Sequence, residues 1–274
     1  MPGKAIASRE YWENRLSEKW GLHGVGHISY GKPYNEWLYR VRRRVLLREL
    51  DRLPLDLRAS TVLDIGSGTG FWLKIWKSVG VRNLVGSDLT RVAVENLRDE
   101  HPTMEIRELD IADPESIAGL KGKFDLISAF DVLFHITDED QFKAAIANVA
   151  SLLRPGGYFL FSDFLVHRVA RRALHEVDRT LENYVSELSA NGMETRLRVP
   201  VFVLMNTPID SLSPVPRLIW RLSMSPVRLF QPLGHVYGLL LYPIELALTK
   251  IVRESPTTEL MICQRIPVAE TLER

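Results

Sequence analysis

A short apolar run followed by three alternate glycines is the feature that most restricts how this chain can fold. The run VLDI leads into Gly66, Gly68 and Gly70, and the helical segment FWLKIWKSVG follows. Glycine is needed where the backbone turns tightly or lies against a ligand without a Cβ in the way. A helix that starts directly behind such a loop offers unpaired N–H groups to an anionic group. The pattern therefore predicts a buried strand, a ligand-binding loop and a helix.

Short apolar runs alternate with helical segments from residue 60 onward, which is typical of a parallel sheet covered by helices. The predicted strands cover 61–66, 83–88, 104–110, 124–131, 158–163, 193–205 and 257–266, and a helix is predicted over 171–190. We expect a doubly wound, Rossmann-like α/β sheet of seven mostly parallel strands.

Two segments lie outside this pattern. Residues 1–55 are predicted to form an N-terminal helical cap, and 207–256 to form a substrate lid inserted between the last two strands. The core is then expected over 56–206 together with 257–268. The apolar run 236–248 is shorter than the ~20 residues that span a bilayer. It predicts a buried helix or lid element, with peripheral membrane or lipid contact as the alternative.

Charge and cysteine content narrow the class of protein. The 35 basic and 34 acidic residues leave a formal net charge of +1, which gives no overall field for attracting DNA or RNA. The single cysteine, Cys263, excludes an internal disulfide and favours a reducing, cytoplasmic location. We expect no nucleic-acid partner.

The spacing around the glycines separates two classes of nucleotide-binding loop. The dinucleotide fingerprint G-x-G-x-x-G/A requires Gly or Ala at position 71, where this chain has Phe71. Asp64, two residues before the first glycine, is not part of that fingerprint either. A nicotinamide-binding Rossmann oxidoreductase remains the alternative with different chemistry.

Acidic residues end three further predicted strands. Asp88 follows the second strand, Asp110 the third, and Phe130 with Asp131 the fourth. Because the carboxyl ends of parallel strands face one crevice, we expect these residues to share a site with the glycine loop. A carboxylate at the end of the second strand can accept both hydroxyls of a ribose.

With these partners, VLDIGSGTGFW resembles motif I of the class I S-adenosylmethionine-dependent methyltransferases, and LLRPGGYFLFSD resembles the turn and fifth strand of that family. The resemblance is dense over 60–165. It implies an antiparallel last strand, S-adenosylmethionine as cofactor, and an acidic contact to adenine after the third strand. The cofactor-binding residues that we expect are Asp64, Gly66, Ser67, Gly68, Gly70, Asp88, Leu89, Asp110, Ile111, Phe130 and Asp131, with Tyr34 from the aromatic leader.

Methyl transfer needs a nucleophile in line with the sulfonium and, for a phenol or alcohol, a base of near-neutral pKa. His135, Asp163 and His167 are the candidates, because they follow the fourth and fifth strands at the active edge. The Asp-Asn pair of metal-dependent catechol-type methyltransferases is not found in the sequence. We therefore expect no metal.

Basic and aromatic residues near the same edge are candidate substrate contacts. Arg168, Arg171 and Arg172 open the predicted helix after strand five, where cations oppose the helix dipole and so favour an anionic partner, unless they form a solvated face. Trp220 and Tyr237 of the predicted lid suit an apolar or aromatic acceptor.

The sequence thus predicts methyl transfer to a small apolar or aromatic acceptor of secondary or lipid-linked metabolism, by O- or C-methylation. C-methylation of a prenyl diphosphate is the alternative acceptor chemistry. A base amino-methyltransferase is disfavoured, because that class carries an [Asn/Asp/Ser]-Pro-Pro-aromatic run where this chain reads DVLF. A protein that binds S-adenosylmethionine without turnover is the remaining class.

Overall fold

The structure is a computed structural model that describes residues 3–173, 175–211 and 213–267. The helices are α1 (Gly3–Glu18), α2 (Leu22–Val25), α3 (Gly31–Leu50), α4 (Phe71–Ser78), α5 (Arg91–Glu100), α6 (Glu139–Leu152), α7 (Leu181–Ala190), α8 (Pro214–Ser223), α9 (Ser225–Leu229) and α10 (Leu233–Ile251). The strands are β1 (Thr61–Ile65), β2 (Asn83–Asp88), β3 (Glu105–Glu108), β4 (Phe124–Phe130), β5 (Leu153–Asp163), β6 (Ala170–Ala173), β7 (Glu176–Asp178), β8 (Met193–Pro200) and β9 (Glu259–Arg265).

Seven strands form one sheet in the order β3-β2-β1-β4-β5-β9-β8. The first five of these pair in parallel, and β9 is antiparallel to both β5 and β8. The chain builds outward from β1 to β3 and then returns to place β4 on the other side of β1. This confirms the predicted doubly wound arrangement, and its switch point opens a crevice at the carboxyl ends of β1 and β4.

The central strands are buried on both faces, which explains their nearly continuous apolar sequence. Neighbouring residues along β1 show this, because Val62 and Leu63 point to opposite faces and both are fully buried. Val62 packs with Trp72 and Trp76 of α4, and Leu63 packs on the α6 side with Phe142. The two apolar layers hold the sheet rigid beneath the crevice.

The predicted helix over 171–190 is wrong in its first half. Residues Ala170–Ala173 and Glu176–Asp178 instead pair as the antiparallel hairpin β6-β7, and the helix begins only at Leu181. Thr180 fixes that start through a capping box with Asn183. The stretch ARRALHEV consists mostly of good helix formers, and strand pairing overrides this weak local preference.

The predicted sixth strand is also too long, because β8 ends at Pro200, which pairs with Glu259, rather than at Met205. Proline has no N–H to continue a ladder. The backbone N–H groups of Val203, Leu204 and Met205 donate instead to the buried carboxylate of Glu245 on α10. This bond set ties α10 to the loop after β8.

Helices α8, α9 and α10 occupy the chain between β8 and β9.

Across the described residues, no helix combines the length and the hydropathy that crossing a membrane would need.

Two glycines let α10 lie directly against α3. A Cβ on Gly234 would come within 2.7 Å of the Tyr34 backbone nitrogen, and one on Gly238 within 2.0 Å of Trp37 Cδ1. The two glycines are four residues apart, so they share one face of the helix. The close approach therefore depends on the absence of side chains at both positions.

We expect Gly234→Ala to lower the free energy of unfolding by about 1–3 kcal/mol, because the added methyl group meets backbone that cannot move aside. Urea unfolding of the variant and the wild type measures this difference. His235→Ala, at the exposed neighbouring position, is the control and should change stability by less than about 0.5 kcal/mol. Equal stability of Gly234→Ala and the wild type would contradict the close packing of α3 and α10.

Candidate active site

The glycine loop has the backbone conformation that its sequence demands. Gly66, Gly68 and Gly70 have φ angles of 69°, 53° and 75°, in the left-handed region that side chains disfavour. The Ser67 N–H donates to the Ser87 carbonyl at 2.8 Å, which fixes the loop against the end of β2. The loop then passes directly into α4, with Gly70 as its N-cap.

Asp64 supports this loop from below. Its carboxylate is fully buried and accepts hydrogen bonds from Ser67 Oγ at 2.8 Å and from Ser128 Oγ at 2.5 Å. Trp76 Nε1 donates in turn to Ser128 Oγ at 3.1 Å. Burial raises the pKa of Asp64 to about 6. The side chain of Asp64 lies under the loop and outside the cavity lining, so it supports the glycine loop, and its predicted direct contact with the cofactor stays a prediction.

A cavity of about 370 Å³ lies between this edge of the sheet and the N-terminal helices. Ten of the predicted site residues line it, namely Gly66, Ser67, Gly68, Asp88, Leu89, Asp110, Ile111, Phe130, Asp131 and His135. The other lining residues are Ser8, Trp12, Arg15, Leu16, Val25, Gly26, His27, Ile28, Asn35, Tyr39, Arg42, Ile65, Thr69, Phe71, Trp72, Thr90, Leu109, Val132, Phe134, Ile136, Phe164, Glu176 and Asn206.

Asp88 is held rigidly at the cavity wall. One carboxylate oxygen accepts from the Gly68 N–H at 2.9 Å, and the other accepts from the N–H and the hydroxyl of Thr90 at 2.9 and 2.7 Å. Burial raises the pKa of this carboxyl, against the lowering effect of these hydrogen bonds. A carboxylate offers about four lone-pair sites, so a further hydroxyl from the cavity can still be accepted.

The turn after β3 is fixed by its own hydrogen bonds. Asp110 Oδ1 accepts from the Ala112 N–H at 3.0 Å, and the Asp110 N–H donates to Ser116 Oγ at 2.9 Å. Asn148 Nδ2 of α6 donates to the Ile111 carbonyl at 2.8 Å. Asp110 and Ile111 therefore reach the cavity with a defined orientation.

Asp131, just after β4, stores backbone strain at the cavity wall. Among the residues that the structure describes, it alone has a positive φ (59°) without being glycine. Arg42 Nη2 donates to its carboxylate at 2.6 Å, and Ser162 Oγ donates at 2.8 Å. Non-glycine residues in this region commonly mark functional sites, where the surrounding structure maintains them.

Helix α1 covers the cavity and is fastened to α5. The Glu13 carboxylate accepts from the backbone N–H groups of Arg91 and Val92, both at 2.9 Å, in the first turn of α5. An acidic group at this position also interacts favourably with the helix dipole. Ser8 Oγ donates to the His135 carbonyl at 2.9 Å on the other side of the cavity.

The sequence did not identify the residues that the two N-terminal helices contribute. They have helical spacing, with Ser8, Trp12 and Arg15 on α1 and Asn35, Tyr39 and Arg42 on α3. Each set follows an i, i+4, i+7 pattern and so shares a face. This spacing can be read from the sequence, but it does not indicate which face of each helix lines the cavity.

Two histidines present a defined ring nitrogen. His135 Nδ1 lies 2.9 Å from the His175 carbonyl, and His27 Nε2 lies 3.0 Å from Asn206 Oδ1. Asn206 Oδ1 also accepts a hydrogen bond from the Thr207 N–H at 2.8 Å. An amide NH2 group could not accept this bond, so the atom facing His27 is the amide oxygen. Both partners can only accept, so each ring carries its proton on the bonded nitrogen and, when neutral, its lone pair on the other. His27 was missed because it lies in a glycine-rich loop without periodicity.

Two predicted catalytic residues lie outside the cavity. Asp163 is fully buried and accepts from the Tyr184 hydroxyl and, at 2.6 Å, from the Phe164 N–H. Its burial raises the pKa to about 8. His167 is 62% exposed and pairs with Asp210 at 2.6 Å, which raises its pKa. Neither side chain lines the cavity, so the structure does not bring Asp163 and His167 together with the other predicted site residues, and their catalytic roles stay a prediction.

The predicted aromatic contacts are also elsewhere. Tyr34 is fully buried in the core, and its hydroxyl donates to the Met205 carbonyl at 2.7 Å. Trp220 Nε1 donates to the Leu204 carbonyl at 3.0 Å, and Tyr237 packs against the core beneath α10. None of the three lines the cavity. They hold the helices together instead.

The predicted arginine cluster is not at a helix start. Arg168 is exposed and outside the cavity. Arg171 and Arg172 belong to β6, and their side chains lie outside what the structure describes. Their role in binding an anionic substrate stays a prediction.

One group at the cavity has the residue types of a metal site. Ligand atoms of His135, His175 and Glu176 lie within 4.8 Å of one another, and all three side chains are partly buried. The Nδ1–H of His135 donates to a carbonyl, as metal-binding histidines commonly do. These residues are where a divalent cation could bind, and the expectation of a metal-free reaction stays a prediction.

We expect Asp163→Asn to leave methyl transfer close to the wild-type rate and to change how stability depends on pH. A carboxyl whose folded pKa is raised stabilises fully below its unfolded pKa and loses that contribution as pH rises through about 8. The wild type should therefore weaken relative to the variant by up to about 1.4 kcal/mol per pH unit between pH 5 and 8.

Urea unfolding at both pH values measures this dependence, with exposed Asp99→Asn as the control that keeps the wild-type slope. A folded Asp163→Asn protein without methyl transfer would contradict a structural role and return Asp163 to the chemistry.

A family model described as a methyltransferase domain matches residues 34–196, which is more than half of the chain. The mRNA cap guanine-N(7) methyltransferase of Caenorhabditis briggsae is 26% identical over 148 residues, covering 48% of this chain and 38% of that protein. A probable S-adenosylmethionine-dependent methyltransferase of Mycolicibacterium smegmatis is 31% identical over 151 residues, covering 55% and 54%. The chain thus spans about half the length of these curated relatives, or less.

A solved structure of Burkholderia thailandensis 1,6-didemethyltoxoflavin-N1-methyltransferase, with bound 1,6-didemethyltoxoflavin and S-adenosylhomocysteine, has a TM-score of 0.57. It is 14% identical and covers 97% of this chain and 92% of its own, so the likeness is one of fold. Together, the family match, the strand order and the cavity above the glycine loop lead to one conclusion: this chain belongs to the class I S-adenosylmethionine-dependent methyltransferases.

Proposed function

We propose that this enzyme methylates an oxygen or carbon atom of a small, mostly apolar or aromatic acceptor. The observation that carries the proposal is the chemistry of the cavity beside the glycine loop. There the His135 ring packs against Phe134 at 4.1 Å and Trp12 at 4.9 Å between ring centroids, and Phe164 packs against Phe134 at 5.3 Å. An imidazole among aromatic side chains suits an apolar acceptor that must lose a proton.

We propose that the cofactor lies along the sheet edge from β3 to β4. In this arrangement Asp88 accepts a ribose hydroxyl, Asp110 and Ile111 contact adenine, and Phe130 with Asp131 contacts the methionine end. The charge of the lining residues supports this fit. The acidic side chains are Asp88, Asp110, Asp131 and Glu176 against the basic Arg15 and Arg42, and this excess of acid suits a cofactor with net positive charge.

His135 is the proposed general base. The bound cofactor supplies an activated methyl group, so the protein's own task is to position the acceptor and take its proton. With Nδ1–H donating to the His175 carbonyl, Nε2 has the lone pair that a general base requires. His27, with its lone pair on Nδ1, is the second candidate.

The same lining argues against a prenyl diphosphate as acceptor. Arg42 is already paired with Asp131, and Arg15 donates to the Gly26 carbonyl at 2.6 Å and to the Tyr11 hydroxyl at 2.8 Å. A diphosphate would therefore have to compete with Asp131 for Arg42, and Arg15 alone would have to hold it beside an excess of carboxylates. A neutral carbon acceptor meets no such obstacle.

A small molecule is also favoured over nucleic acid. Helix α1, fastened by Glu13 and Ser8, covers the cavity, and the net charge of the chain is only +1. A polymer would need the cover to open widely. The family match disfavours the oxidoreductase alternative.

We expect transfer of a labelled methyl group to neutral phenols or related apolar acceptors. Parallel reactions with prenyl diphosphates and with a capped RNA separate the alternatives, because each acceptor class gives a distinct labelled product. Exclusive labelling of the RNA or of the diphosphate would contradict the proposed acceptor class.

His135→Gln should lower kcat by roughly 10²- to 10⁴-fold, the usual contribution of a general base. Glutamine can still donate to the His175 carbonyl, so cofactor affinity measured by calorimetry should stay near the wild-type value. The wild-type rate should rise with pH as the imidazole loses its proton, and the pH–rate profile of the variant should lack this rising limb. The controls are exposed His235→Gln, which should behave as wild type, and His27→Gln, whose loss of the limb would assign the base to His27 instead.

A further inference from the structure

Helices α8 and α10 present apolar side chains outward instead of burying them. On α8, Val215, Leu218, Ile219 and Leu222 are between 54% and 64% exposed. Their i, i+3, i+4, i+7 spacing makes them one stripe along the helix. None of the α8 residues is buried, so this stripe contributes nothing to the core.

Helix α10 has the same inverted arrangement. Val236, Leu239, Leu240 and Ile244 are between 50% and 64% exposed, while the polar side chains of Glu245 and Thr249 are buried. The inner face packs on α3 through Gly234 and Gly238, so the outer stripe is not needed there. Leu229, the last residue of α9, is 88% exposed, and Phe230, in the turn before α10, is 60% exposed.

The charges of this segment have one sign. The exposed charged residues over 213–251 are Arg217, Arg221, Arg228 and Lys250, and Glu245, the single acidic residue of that range, is buried. Within the described part of the chain, no carboxylate forms a salt bridge with Arg221, Arg228 or Lys250. An apolar stripe flanked by cations is the pattern of helices that lie in the interface of an anionic bilayer.

We propose that α8, the α9–α10 turn and α10 form a docking surface for an anionic lipid membrane. The surface extends the contact expected for 236–248 by a second helix. Self-association through the same face is disfavoured, because a two-fold interface would place these cations against their own copies with no exposed acid to pair with them. An anionic bilayer receives both the apolar stripes and the positive charges.

The surface also adjoins the segment Ile28–Tyr30, which contributes to the wall of the cavity. Ile28, which lines the cavity, is 43% exposed, and Tyr30 packs against Trp220 of α8 at 5.7 Å between ring centroids. Docking would therefore bring this wall of the cavity close to the bilayer. This refinement rests on the proposed function and narrows the acceptor class to apolar molecules that partition into membranes.

Flotation with vesicles tests the docking surface without cofactor or acceptor, so its result is independent of the proposed methyl transfer. We expect the wild type to float with vesicles of phosphatidylcholine and phosphatidylglycerol and to float weakly with phosphatidylcholine alone. Leu239→Ser with Leu240→Ser should weaken binding by roughly tenfold or more, and Arg221→Gln by about fivefold. High salt should weaken the binding of the wild type to the anionic vesicles, because it screens the attraction between their charges.

Two matched variants control for nonspecific effects. Val185→Ser removes an exposed apolar side chain on α7, and Arg44→Gln removes an exposed cation on α3, and both should bind as wild type. Absence of flotation by the wild type, or equal binding by all variants, would overturn the proposal. The proposal would also be overturned if the wild type does not bind vesicles and sediments as a dimer, and if Leu239→Ser with Leu240→Ser converts this dimer to a monomer.

Discussion

The buried carboxylate of Asp64 is the interaction on which the site depends. It joins three elements at the switch point of the sheet, because its oxygens accept from Ser67 in the glycine loop and Ser128 in β4, and Ser128 is held by Trp76 of α4. The left-handed glycines give the loop its shape, but they give it no attachment. Hydrogen bonds to the buried Asp64 carboxylate attach the loop to β1, in addition to the backbone bonds of Ser67 and Gly68 to β2, since leaving such a group unsatisfied in the interior is costly.

From this fixed point the cavity is assembled from distant parts of the chain. The sheet edge contributes Asp88 and Asp110, whose orientations are set by neighbouring backbone N–H groups. Helix α3 contributes Arg42, which holds the strained Asp131, and α1 closes the cavity through Glu13 on α5. The floor is therefore rigid, and the cover combines these polar contacts with the packing of Trp12 on His135. A site covered in this way can exclude water around the bound acceptor.

The fold and the floor of the site could be predicted because local rules determine them. Short apolar runs alternating with helical segments predicted where the core strands lie along the chain, and acids at the carboxyl ends of parallel strands meet at one edge of the sheet. The site predictions that differ from the structure share a cause. Whether a side chain is buried or faces the cavity determines what it can do, and the sequence does not show this. Asp163 lies at the end of β5, but its carboxylate is buried and hydrogen-bonded to Tyr184. Arg42 is one of several arginines in α3, and only the packing of the folded protein shows that it pairs with Asp131. His27 depends on a partner, Asn206, that is 179 residues away along the chain.

The central claim is that the cavity above the glycine loop holds the methyl donor in one orientation. A crystal structure with S-adenosylhomocysteine tests it most directly. We expect a ribose hydroxyl on Asp88, adenine beside Asp110 and Ile111, and the methionine end at Asp131 with its sulfur facing His135. A ligand bound in the reverse orientation, or bound outside this cavity, would contradict the account.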